Sequence, residues 1–160
     1  MKQFLFLLLT FTTTTYAQIA SIDTEIPISA DKVFRSTDVD LKPQLKDGMY
    51  TLSLFISENF NFPPAIKNKK ITIFSSFIVE PDGSLSDIKA FHINVKDYLP
   101  REVTKIATED EKINELDQIE TMKAETIRVL TLFKKTWTPA TKNGKSVRCL
   151  YNYPINFNIE

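Results

Sequence analysis

The sequence predicts an α+β fold: a three-stranded antiparallel sheet with two helices on one face, in the order helix, strand, strand, helix, strand. Three observations carry this. Val147, Cys149, Tyr151, Tyr153, Ile155, Phe157 and Ile159 alternate with Arg148, Leu150, Asn152, Pro154, Asn156 and Asn158, the period of a strand with one covered face. Two β-branched and aromatic runs flank Pro81-Asp82-Gly83, which supplies a preset φ, an Asx-turn residue and a site for positive φ. Between that hairpin and the last strand, Ile113, Leu116, Ile119, Met122, Ile127, Leu130 and Phe133 recur at helical spacing.

Taken in order, the chain opens with Lys2, an apolar run from Phe4 to Phe11, and Thr15-Tyr16-Ala17, the layout of a secretory signal peptide cleaved after Ala17. The run is about half the roughly 20 apolar residues that span a bilayer, so no membrane insertion is expected after cleavage. Residues 18–40 show no sustained period and read as a linker or loosely docked arm; the domain is expected over 41–160. Met49, Leu52, Phe55 and Ile56 fall on one helical face with Asp47 as N-cap, and Pro63-Pro64 forbids continuation. Lys70 to Val79 is a strand apolar on both faces, and Leu85 to Ile93 returns beside it. From Asn94 to Thr108 the chain reads as a connection. Thr108-Glu109-Asp110-Glu111 fits a capping box, the acidic first turn and Lys134-Lys135 suit the helix dipole, and Trp137-Thr138-Pro139 follows the helix. Asn143-Gly144 turns the chain into the last strand.

Composition excludes several kinds of chemistry. With 20 Lys+Arg against 20 Asp+Glu there is no electrostatic drive toward nucleic acid. The single Cys149 leaves no internal disulfide and is read as a buried small hydrophobe, and no lipid-attachment cysteine follows the leader. Cys149 and His92 are the only thiol and imidazole, so no metal pair exists at ligand spacing. Neither sits in a loop, and a core thiol and a strand-face ring explain them better than a nucleophile and base. Glu109-Asp110-Glu111 lacks the interleaved ligands and glycine of a calcium loop. Gly48, Gly83 and Gly144 each stand alone and build no phosphate cradle. Neither a cofactor nor an enzymatic function is expected.

Several pieces match one family in order and spacing: Pro43 and Gly48 before the first helix, Asn59-Phe60-Asn61-Phe62-Pro63 at its end, and Phe77-Ile78-Val79-Glu80-Pro81-Asp82-Gly83-Ser84-Leu85 as a hairpin. Trp137-Thr138-Pro139-Ala140, Asn143-Gly144-Lys145-Ser146-Val147 and Tyr153-Pro154-Ile155-Asn156-Phe157 complete the set. From about Val39 to Phe157 the chain resembles the C-terminal domain of TonB, the energy transducer that contacts outer-membrane receptors in Gram-negative bacteria. It departs from the family in having no anchor or proline-rich spacer and in carrying a charged insertion around 97–118. The resemblance implies a periplasmic module linked to TonB-dependent transmembrane transport. Such a module binds an outer-membrane TonB-dependent receptor, or another envelope protein, by adding a strand to the exposed edge of its last strand.

The residues permit this mode. A proline has no N–H, so Pro154 inside a strand turns its nitrogen to an unpaired edge or lies in a bulge. Residues an even number away aim their backbone groups the same way, which nominates Arg148, Leu150, Asn152 and Asn156 as partner-binding and favours pairing from Arg148 to Asn152. Pro154 and the asparagines equally serve to protect a bare edge, and an exposed edge allows a homodimer. Trp137 reads as a core plug and Phe62-Pro63 as closing the first helix over the sheet. The alternative function is a secreted structural adaptor that docks through its long charged helix.

Overall fold

The computed structural model describes residues 31–64, 66–97 and 108–159. The expected leader, most of the arm and the first half of the charged insertion lie outside the described residues. The fold is α+β, with two helices, a curled mixed five-strand sheet and a small two-strand sheet. In chain order the elements are β1 (Val33–Arg35), β2 (Gln44–Leu45), α1 (Met49–Asn59), β3 (Lys69–Val79), β4 (Leu85–Asp97), α2 (Glu109–Leu132), β5 (Trp137–Thr138), β6 (Ala140–Lys142) and β7 (Lys145–Ile159).

The three long strands form the frame. β3 lies in the middle, antiparallel to β4 on one side and to β7 on the other, and pairs with β7 without interruption from Lys69–Ile159 to Val79–Cys149. Its pairing with β4 breaks register twice, between Phe74 and Ser75 and between Ser76 and Ile78. Each break leaves an extra residue on β4, Phe91 at the first, and such bulges increase the local twist that curls a sheet. The β3–β4 turn follows the expected chemistry: Gly83 N donates to Glu80 O at 2.9 Å, Gly83 has φ 83°, and Asp82 Oδ1 accepts from Ser84 N at 2.9 Å. Asn143 and Gly144, at φ 50° and 71°, make the two-residue turn between β6 and β7.

Both helices cover one face of this frame. Leu52 and Ile56 of α1 and Ile119, Met122, Val129 and Leu130 of α2 meet Ile71, Ile73, Phe77, Val79, Ile155 and Phe157 in one cluster. Each such buried side chain contributes roughly 1.5–3 kcal/mol. Trp137, 1% exposed, is the plug the sequence suggests: its indole lies 5.4 Å from the Phe77 ring and 5.1 Å from Tyr151, both edge-on. The capping box is present, with Thr108 Oγ1 accepting from Glu111 N at 3.3 Å and Glu111 Oε2 accepting from Thr108 N at 2.8 Å. At the other end, Cys149 is fully buried beside Phe34, Val147 and Ala140 in a separate small cluster. Burial pushes its thiol pKa up, which keeps it protonated.

Four expectations change. Asp47 is not the cap of α1: Gly48 occupies that position at φ 78° with no side-chain bond, and Asp47 instead pairs with Lys135 at 2.7 Å. β4 continues past Ile93 to Asp97 because Val95 still packs on the core, although its neighbours are polar and exposed. The sheet has five strands rather than three. β6 folds back on β7 as a hairpin, and β1, within the stretch read as an arm, pairs in parallel with β7 through Val33–Arg148, Phe34–Cys149 and Arg35–Leu150. Finally, β2 and β5 form their own antiparallel pair, strapping the chain before α1 to the chain after α2.

Candidate functional site

β7 has one flank on β3. On its other flank β1 covers Arg148–Leu150, and from Tyr151 to Ile159 no strand among the described residues pairs there, while β6 pairs with the start of the strand, Lys145–Val147. Pro154 sits opposite Phe74 in the β3 ladder. With no N–H to donate, it belongs to the set whose main-chain groups point away from β3, and so do Asn152, Asn156 and Asn158 at even spacing. Ser75 confirms the parity from the other side, its hydroxyl donating to Tyr153 O at 2.6 Å on the β3 flank.

The four residues that the sequence nominated therefore separate. Arg148 and Leu150 face β1 and are not open to a guest chain, which corrects the expected pairing from Arg148 to Asn152. Arg148 has a different task, forking onto Glu80 with Nε–Oε2 at 2.8 Å and Nη2–Oε1 at 2.9 Å while Nη1 donates to Asp31 O at 3.3 Å. That bidentate pair, with Ser86 Oγ also donating to the carboxylate, lowers the Glu80 pKa and raises that of Arg148. Asn152 and Asn156 do lie on the unpaired stretch, both exposed. Asn156 Oδ1 accepts from Thr72 Oγ1 at 2.8 Å, which fixes the amide on the sheet face away from the helices.

Beside the open stretch runs a groove of about 450 Å³ between β7 and α1, lined by Tyr153 to Phe157 on one side and by Tyr50, Ser53, Leu54, Ile56 and Ser57 on the other. Tyr50 is 76% exposed and Leu54 42%, one helical turn apart. They escape the sequence reading because they lie off the apolar stripe that builds the core. That displacement is itself the signal, since a helix needs no second apolar pair on its outer side. Phe60 and Phe62 pack on Phe157, which lines the groove, with ring centroids 4.6 and 4.9 Å away. Toward the start of β7, β1 ends at Arg35 opposite Leu150 and turns, Asp38 N donating to Arg35 O.

Among the described residues β4 has a second open edge, built differently. It carries the two register breaks and four charged residues, Asp87, Lys89, Lys96 and Asp97, the devices that keep edges from pairing. β7 keeps unbroken register and has no charged residue from Cys149 to Ile159; Pro154 is its only interruption. His92 lies exposed in the Phe74–Pro154 row and Cys149 is buried in the Val79 row, so the structure does not bring them together. Among the described residues no group of three His, Cys, Asp or Glu side chains is placed to hold a metal, and no helix is long and apolar enough to cross a membrane. Comparison of the chain with protein-family models, with curated proteins and with solved structures finds no match.

Proposed function

We propose that the protein is a binding module that takes an extended segment of an outer-membrane receptor, or of another envelope protein, as an added strand on the β7 flank from Asn152 to Ile159. The observation that carries this is the unpaired, uncharged and regular flank running alongside an open groove. Main-chain hydrogen bonds would supply affinity there and the groove selectivity. The TonB-like order of motifs supports the receptor as partner and the periplasm as setting. β1 moves the docking stretch toward the C-terminus of the strand but does not close it.

The test is Asn156→Pro. Asn156 turns its N–H away from β3, so proline removes a donor that a guest needs and none that the fold uses. Titration of the purified chain with peptides from receptor plug ends is expected to show saturable binding, lost in this variant while the far-ultraviolet spectrum and melting temperature stay close to the parent's. Undiminished binding by the variant would refute strand addition.

One observation favours a second reading, docking through the long helix. Ile113 and Leu116 of α2 are 52% and 62% exposed on the half that precedes Ile119. A double change to lysine at these positions separates the readings, since edge binding is expected to survive it and helix docking is not.

A further inference from the structure

The sheet face turned away from the helices changes its chemistry in steps along the strands. We propose that it binds a phosphorylated sugar, with the phosphate between Lys70 and Lys96, the hydroxyls on the amides of Asn94 and Asn156, and the ring against Phe74. This uses the face of the sheet and not its edge, so it stands apart from strand addition.

Register places the parts. Two successive rows cross β4, β3 and β7 on this face: Lys96, Lys70 and Asn158, then Asn94, Thr72 and Asn156. A third row, His92, Phe74 and Pro154, follows. The residues between them on β3, Ile71 and Ile73, enter the core, which puts the three rows on the opposite side. Rows two residues apart lie about 7 Å from one another, so over about 13 Å the surface passes from positive charge through amides to rings. The flexible lysine stems let the charge come to the ligand across part of that span. All six side chains of the first two rows line one open hollow of about 340 Å³.

Each row has its own chemistry. Lys70 and Lys96 stand directly opposite each other, a like-charge arrangement that disfavours a sheet and favours an anion held between them. Edge protection accounts for Lys96 on β4 but not for Lys70, which lies on the central strand. The carboxylate of Asp97 is engaged by Lys69 at 2.6 Å, and the second partner of Lys69, Glu115, belongs to α2 on the helix side.

In the middle row Thr72 Oγ1 donates to Asn156 Oδ1 at 2.8 Å. That occupies the accepting end of the amide and leaves Nδ2 as the end that serves a ligand, which suits a ligand rich in acceptors. Asn94, exposed in the same row, can give and take hydrogen bonds, as sugar hydroxyls do. In the third row Phe74 is half-buried, with the His92 ring 5.6 Å and the Phe91 ring 6.4 Å away. Phe91, the extra residue at a register break, is 58% exposed. Aromatic faces carry partial negative charge and attract the C–H side of a pyranose, whose hydroxyls stay free for the amides. A phosphate alone leaves the third row unused, and a neutral sugar leaves the first.

The experiment titrates the full, isotope-labelled chain with four probes: inorganic phosphate, glucose, glucose phosphorylated on its exocyclic carbon, and vesicles of phosphatidylglycerol in phosphatidylcholine. Affinities come from calorimetry and the position of the ligand from side-chain amide signals in NMR spectra. Glucose phosphate is expected to bind at least about tenfold more tightly than inorganic phosphate or glucose, and to shift the amide signals of Asn94 and Asn156. Its affinity should fall at least about threefold between about 50 and 500 mM salt. Lys70→Gln with Lys96→Gln should weaken glucose phosphate at least about tenfold and weaken inorganic phosphate as well. Asn94→Ala and Phe91→Ser, both at exposed positions, should each weaken glucose phosphate at least about threefold and leave inorganic phosphate unchanged.

Equal affinity for inorganic phosphate and glucose phosphate would overturn the sugar, and equal affinity for glucose and glucose phosphate would overturn the charge. Binding of vesicles without binding of glucose phosphate, binding untouched by the paired lysine change, or no binding of any probe would overturn the site as a whole. Each of these results leaves the peptide titration with Asn156→Pro, and the reading it tests, as they stand.

Discussion

Gly83 shows how one missing methyl group holds two parts of the molecule together. Its carbonyl accepts from Trp137 N at 3.0 Å, and a Cβ built there would stand 2.2 Å from Trp137 O and 2.7 Å from Thr136 Cγ2. Alanine would meet both a backbone clash and a positive φ, so Gly83→Ala is expected to destabilise by at least about 2 kcal/mol, read from the midpoint of urea unfolding. Glu125 is the other residue with a long reach. It accepts from Asn61 N and Nδ2, each at 2.8 Å, and from Arg128, which in turn donates to Asn59 O, so the Asn59-Phe60-Asn61 segment after α1 is pinned to α2. The Arg128 hydrogen bond above all holds its carboxyl at about 2. A depressed folded-state pKa means this stabilisation is complete above the ordinary glutamate range and fades as the pH falls from about 4.5 toward 2. Glu125→Gln should therefore be less stable than the parent at pH 7, with the difference shrinking across that interval in thermal melts recorded at successive pH values.

Among the elements, β1 is the one whose importance exceeds its size. Three residues pair it to β7, and its only buried side chain is Phe34, seated on Ala140, Val147 and Cys149. Phe34→Ala removes about 3 kcal/mol of local packing and is expected to undock the strand. Hydrogen exchange should then speed up at the Leu150 amide, which faces β1, and stay slow at Tyr151, whose amide faces β3. Strands and helices with a sustained period were legible in the sequence: β7 by its alternation, the β3–β4 hairpin by Pro81-Asp82-Gly83, α2 by Thr108 and Glu111. What escaped has a physical cause in each case. β1 is too short to show a period and packs on a cluster outside the main core. Asp47 looks like a cap because no sequence pattern reveals Lys135 waiting 88 positions on. The alternation of β7 groups its even residues as one set in the sequence. Which of them β1 would cover depends on a contact more than 110 residues apart in the chain, and nothing in either segment announces it.

At the scale of the whole molecule, two long edge stretches among the described residues contrast in character, a bulged and charged one on β4 and a smooth neutral one on β7. The first and last strands of the described fold lie side by side and run in the same direction. Pulling them apart from Lys32 and from Ile159 sends tension along their common axis, so the bonds between them share the load and must break together. A pull between Lys32 and Lys145, at the same end of the pair, peels them one after another. Single-molecule stretching with handles at 32 and 159 should thus give a higher rupture force than with handles at 32 and 145. A three-residue ribbon would then act as a mechanical clasp that resists traction in one direction and yields in the other.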